Sequence, residues 1–265
     1  MWGAIIGDIN GSKYEFANTN DKNFKMFQND MYITDDSVMT VAVAEALLSS
    51  KDDYSDLREK TIDCMKQYGK RYPGKGYGGS FQRWLTSGSR EPYNSWGNGA
   101  AMRVSAVGEI ARNLEEVKKL SKMVTEVTHN HPKGIIGAEA VASSIYFAKC
   151  GRNKEFIKEY AIDNYYEELK DLKVEDFAGK MKFDESCQGT VPYAIEIVYE
   201  SKNFEDAIRT AVSVGGDSDT IAAIVGSIAE AYYGIPEEFI REAKTYVPAR
   251  FELIIRGVEK RKAEE

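Results

Sequence analysis

Residues 215–236 read GGDSDTIAAIVGSIAEAYYGIP, and this stretch decides the fold class. From Ile221 to Tyr233 the residues are apolar almost all the way round a helical wheel, as expected of a helix surrounded by other elements rather than lying on a surface. Gly234 and Pro236 supply the stop. Immediately before the helix stands Asp217-Ser218-Asp219-Thr220, and before that Gly215-Gly216, where the chain can turn tightly and approach a ligand closely.

Working outward, the same period recurs. Thr40–Leu48 (TVAVAEALL) is an apolar run. Val117, Leu120, Val124 and Val127 fall three and four residues apart along a charged segment. Helical spacing continues in 135–148, in Val191, Ala194, Ile195 and Val198, and in Phe204, Ala207, Ile208 and Ala211. No series of alternating strands and no fixed-period repeat interrupts it. The expectation is an all-α fold, a single compact domain over residues 1–265, with the Lys/Glu-rich stretch 259–265 as a solvated, fraying helix end.

Composition agrees. A chain of 265 residues with 43% hydrophobic content can fill one large core. A formal charge of -7 gives no general attraction to nucleic acid. Three scattered cysteines, Cys64, Cys150 and Cys187, have no metal or redox spacing and suit a reducing, cytoplasmic setting. The apolar start Trp2–Ile6 meets Asp8 too soon for a signal core or membrane span.

The second acidic cluster has a counterpart near the start, Thr34-Asp35-Asp36, also followed by an apolar helical run. Either cluster alone reads as a helix N-cap. A cap needs one such residue, however, and here three oxygen donors crowd each position. Together they form a hard-oxygen set of the kind Mg²⁺ and Mn²⁺ prefer, which points to a dinuclear hydrolase.

Three segments carry further chemistry. In 7–15, GDINGSKYE, an apolar helix-like start runs into glycine, and Glu15 is a candidate base. In 95–103, SWGNGAAMR, glycine amides could cradle phosphate while Ser95 and Asn98 bond sugar hydroxyls; Gly76-Tyr77-Gly78-Gly79 is a second permissive loop. In 128–132, THNHP, both histidines of the chain occur. His-x-His lacks the cysteine or third histidine of a zinc set, so a polar contact to substrate or a loop-stabilising hydrogen bond is preferred. Neither histidine has the context of a covalent triad.

In order along the chain, GAIIGDINGSKYE, TDDS, GYGG, SWGNGAAMR, THNHP and GGDSDT resemble the motifs of the ADP-ribosylglycohydrolase family. The resemblance implies a compact helical fold with two Mg²⁺ or Mn²⁺ ions at the base of an ADP-ribose cleft. By motif, Thr34, Asp35, Asp36, Asp217, Asp219 and Thr220 would be metal ligands and Glu15 the catalytic carboxylate. Gly76, Gly78, Ser95, Trp96, Gly97, Asn98, Gly99 and His129 would contact substrate, Trp96 by stacking on adenine. Ser37 and Ser218 replace threonines common in the family, and each keeps its hydroxyl. The implied reaction hydrolyses the bond between ADP-ribose and an acceptor, a protein side chain or small molecule, and releases ADP-ribose; no motif reads the acceptor or identifies the leaving-group acid. A metal-dependent nucleotide phosphohydrolase is the alternative enzyme. A non-catalytic ADP-ribose binder would be expected to lose Glu15 or the acidic clusters.

Overall fold

The computed structural model describes residues 1–264. The chain forms helices α1 (Trp2–Ser12), α2 (Asp35–Ser49), α3 (Leu57–Arg71), α4 (Gly79–Thr86), α5 (Ser105–Ile110), α6 (Leu114–Thr125) and α7 (Pro132–Lys149). There follow α8 (Lys154–Asn164), α9 (Val174–Phe177), α10 (Cys187–Glu200), α11 (Phe204–Ser213), α12 (Ser218–Tyr233), α13 (Glu237–Ala243) and α14 (Ala249–Glu264). Among the described residues there is no strand, only isolated bridges pairing Gly97 with Ser186 and Met181 with Gly215. Among these described residues no helix is long and apolar enough to cross a membrane.

Helix starts follow local chemistry. The side chains of Thr34, Asn113, His131, Asn153, Ser186 and Asn203 each accept from an amide of the first turn, satisfying donors with no intrahelical partner. Helix α12 ends at Gly234, whose φ of 72° suits a residue without Cβ.

As the periodicity predicts, α12 is central: every residue from Ser218 to Ala229 is buried. Helices α1, α7, α10 and α11 pack around it, while α2 packs on α1, α3, α5 and α14. The apolar side chains join into one core reaching from Met1 to Val258, with a small satellite around Phe147 and Ile157.

The closest approach is between α1 and α12. A Cβ on Gly3 would lie 2.0 Å from the Gly226 carbonyl oxygen, on Gly7 1.9 Å from that of Ala222, and on Gly11 2.3 Å from Asp219 Cα. Glycines four residues apart form one stripe on a helix, so the two backbones touch along its length. In the sequence the apolar helix-like start runs into glycine within 7–15. In the structure Gly7 and Gly11 are helical positions required by this contact, and α1 continues to Ser12.

Candidate active site

The contact brings the C-terminal half of α1 against the N-terminus of α12, with the N-terminus of α2 alongside. Asp8, on α1, is wholly buried. It accepts from Thr34 N at 2.9 Å, Thr34 Oγ1 at 2.6 Å and Ser37 N at 3.1 Å, and also from Ser37 Oγ. These donors fill the carboxylate's acceptor sites, so Asp8 organises the 34–37 turn. Sequence reasoning missed this role; the available signal was an acid inside the apolar run AIIGDI.

The turn presents Asp35 and Asp36 toward α12. Asp36 Oδ2 accepts from Thr220 Oγ1 at 3.1 Å, whereas Asp36 Oδ1 is buried with no partner. Asp217 sits at the N-cap of α12 without capping it; its Oδ2 accepts instead from Asn98 Nδ2 at 2.7 Å. Left-handed Gly215 and Gly216, at φ 91° and 74°, make the turn into this position. Asn18 braces the facing loop, donating to Gly216 O at 2.9 Å and accepting from its amide at 3.2 Å.

Two overlapping groups of carboxylates result. One oxygen each from Asp8, Asp36 and Asp219 lies within 4.8 Å of the others, and so does one each from Glu15, Asp217 and Asp219. Asp35 lines the cleft outside both groups. Thr34 Oγ1 is committed to Asp8 and Thr220 Oγ1 to Asp36. The orphaned Asp36 oxygen and the carboxylate shared between groups suit two adjacent hard cations.

Burial, followed by the charge of neighbouring acids, raises the carboxyls of Asp35, Asp36 and Asp219 well above the usual carboxylate range. Burial also raises Asp8 and Asp217, against opposing hydrogen bonds. Glu15, half-buried, is pushed to about 7 by burial and then by Asp217, Asp8 and Glu185.

A cleft of about 240 Å³ connects these acids to the glycine loop. It is lined by Glu15, Asp35, Asp36, Asp217, Asp219 and Thr220 together with Gly76, Gly78, Ser95, Gly97, Asn98, Gly99 and His129. Tyr93, Arg103, Phe183 and Glu185 also line it, and the sequence reading assigned none of them there. Thr34 stands behind the wall. Trp96 is outside the lining, 50% exposed, with its ring 5.2 Å from that of His131.

The glycine loop differs from the phosphate cradle expected of it. Gly97 N–H already donates to Ser95 Oγ at 3.1 Å and Asn98 N–H to Glu185 O at 2.6 Å. Asn98 spends its side-chain amide on Asp217 and Thr190, tying loop to acid cluster. What the glycines leave open is space before His129: a Cβ on either Gly97 or Gly99 would stand 3.5 Å from its Nε2. Burial, then the Arg103 charge, holds His129 well below its ordinary pKa, so the ring is neutral. His131 has a separate task, capping α7 through Nδ1 with Lys133 N at 3.1 Å.

The family model for ADP-ribosylglycohydrolase matches residues 1–261. The chain belongs to the ADP-ribosylglycohydrolase family. Human ADP-ribosylhydrolase ARH3 is 24% identical over 92% of this chain and 88% of that protein. ADP-ribosylarginine hydrolase Tri1 of Pseudomonas putida (strain GB-1) is 23% identical over 91% of this chain and 72% of its own length. A solved structure described as an ADP-ribosylglycohydrolase-related protein complex superposes with a TM-score of 0.74 at 22% identity, covering 97% of this chain and 93% of that one. This glycohydrolase therefore has the family's helical fold, and the ordered motifs meet in one cleft.

Proposed function

We propose that this ADP-ribosylglycohydrolase is a divalent-metal-dependent enzyme that cleaves the N- or O-glycosidic bond between ADP-ribose and an acceptor, releasing intact ADP-ribose. The observation that carries the reading is Glu15. It is a half-buried carboxyl with a pKa near 7, beside Asp217 and Asp219, in the same cleft as the glycine loop. A carboxylate so poised can take a proton from an attacking water near neutral pH.

Asp36, Asp217 and Asp219, with Asp35 and the Thr220 hydroxyl near them, are the residues that would hold Mg²⁺ or Mn²⁺, while Thr34, bonded to Asp8, would position them from behind. Bound there, two such ions would supply positive charge that orients ribose hydroxyls and acidifies water. Asn98 keeps Asp217 turned to the cleft through its 2.7 Å bond. The carboxylates also suit the positive charge that develops at the anomeric carbon of a glycoside as its bond breaks. His129 and the space left by Gly97 and Gly99 receive the diphosphate side of the ligand. The substrates in this reading are ADP-ribosylated protein side chains or small molecules in the cytoplasm.

The test is a panel of defined ADP-ribosylated substrates with different linkages, incubated with Mg²⁺ or Mn²⁺, with products weighed by mass spectrometry. Intact ADP-ribose plus unmodified acceptor is expected, and chelator should abolish it. Release of AMP or phosphate would favour a phosphohydrolase. Tight ADP-ribose binding with no turnover on any linkage would favour a binding protein.

A further inference from the structure

We propose that Arg103 is a positioning residue of this cleft: together with Thr128 it holds His129 as the neutral tautomer whose Nε2–H points into the glycine loop, ready to donate to the diphosphate of ADP-ribose. The ligand named here rests on the functional reading above; the tautomer does not.

Arg103 is 1% exposed, and no carboxylate among the described residues forms an ion pair with it. Its Nε has no partner. Its Nη2 donates to Thr128 Oγ1 at 2.8 Å and lies 3.4 Å from His129 Nδ1, with Thr125 O at 3.5 Å. Thr128 Oγ1 is in turn 2.8 Å from His129 Nδ1.

The proton positions follow from what each group can do. A guanidinium has only donors. Thr128 Oγ1 therefore accepts from it, and its own hydrogen goes to Nδ1 in this assignment, because a hydrogen on Nδ1 would point against the Arg103 Nη2 donor that faces the same nitrogen at 3.4 Å. Two donors converge on Nδ1, which must offer a lone pair, and the single proton of the neutral ring sits on Nε2. An imidazolium would set its own Nδ1–H against those two donors and a second buried cation beside the first. Nε2 is the nitrogen that faces Gly97 and Gly99. Side chains there would obstruct the N–H that this arrangement exposes.

The unpaired charge has a second consequence. A guanidinium buried for stability alone would be expected to have a carboxylate beside it. Here the positive charge stands beside a neutral ring, both at the wall of an otherwise acidic cleft. An anionic ligand before that ring supplies the missing counter-charge, while the Nε2–H supplies the directional bond.

The experiment uses the whole chain with ¹⁵N-labelled histidine. Long-range ¹H–¹⁵N spectra near neutral pH read the protonation of each ring nitrogen, and His131→Asn, which retains a capping side chain, assigns the two rings. For His129 the expected signature is a protonated Nε2 and an unprotonated Nδ1. Arg103→Met should lose that signature and raise the Kd for ADP-ribose about 10- to 100-fold, the range for losing a hydrogen bond to a charged group. On a turned-over substrate KM should rise more than kcat falls, because the ring is assigned to binding the diphosphate and not to Glu15's chemistry. Arg103→Lys, which keeps a charged donor, should recover part of the affinity. Thr128→Val breaks the relay with little change of volume and should weaken the signature in the same direction, so it decides the matter if Arg103→Met does not fold. An Nδ1–H or imidazolium signature in the wild type would overturn the proposal, as would a folded Arg103→Met or Thr128→Val variant with the wild-type signature and Kd. Wild-type protein that shows the expected signature but binds no ADP-ribose would refute the functional reading and the ligand named here, while the tautomer assignment would stand.

Discussion

Gly7→Ala adds one methyl group at the seam between α1 and α12. Its Cβ would stand 1.9 Å from Ala222 O, 2.3 Å from Ala222 C and 2.7 Å from Ala223 N. All three are backbone atoms of a buried helix, so no rotamer change relieves the overlap. Restoring ordinary contact at 3.4 Å requires the helices to part by roughly 1.5 Å. Overpacking a filled core costs about 1–3 kcal/mol, and a backbone clash lies at the upper end. Exchanging helical Gly for Ala returns about 1 kcal/mol, leaving a net loss near 2 kcal/mol. For a chain of this size that corresponds to a Tm lowered by roughly 4–8 °C. The displacement also moves Asp8, the next residue, and with it the 34–37 turn that it holds, away from Asp219, although one oxygen each of Asp8, Asp36 and Asp219 must lie within 4.8 Å of the others in the site. Divalent-ion affinity should therefore fall with stability. Calorimetric melts with and without Mg²⁺ or Mn²⁺, together with titration calorimetry of each ion, measure both effects. Gly88→Ala, where a Cβ meets nothing within 4 Å, is the control and should melt as the wild type does. A Gly7→Ala protein with wild-type Tm and ion affinity would refute the argument that this backbone contact builds the site.

The buried acids make a pH prediction. The folded carboxyl of Asp219 is raised well above its ordinary 3.8, so its stabilising contribution is complete below that value and is lost as pH rises through the folded pKa. Metal-free protein should thus gain Tm from Asp219→Asn at about pH 8 and gain far less at about pH 5, while the variant binds Mg²⁺ and Mn²⁺ much more weakly; an equal Tm change at both pH values would count against it. Glu15→Gln should lower kcat on the order of 10²-fold or more while ADP-ribose affinity changes much less. In the metal-free wild type Glu15 should ionise at about pH 7 in an NMR titration of its side chain, and Mg²⁺ or Mn²⁺ should lower that pKa by offsetting the neighbouring acids; a Glu15→Gln variant with near-normal turnover would remove Glu15 from the reaction.

The sequence by itself determined that the chain is helical, that 221–233 lies at the centre, and that two acid clusters stand at helix starts. Periodicity and capping are local: the residues that create the signal are within a few positions of one another. Motif order also marked Glu15, the glycine loops and His129, and all of these line the cleft. Only the tertiary structure decided how those residues are employed. Asp8 joins the site because a glycine stripe lets α1 touch α12 from the far end of the chain. The amides of Gly97 and Asn98 are unavailable to phosphate because Ser95 and the distant Glu185 carbonyl have taken them. Trp96 leans on His131 at the surface, and His129 Nδ1 faces Thr128 Oγ1 at 2.8 Å and Arg103 Nη2 at 3.4 Å. A side chain's type states which hydrogen bonds and charges it can form. Which of them remain open to a ligand depends on neighbours that the fold brings from elsewhere in the chain.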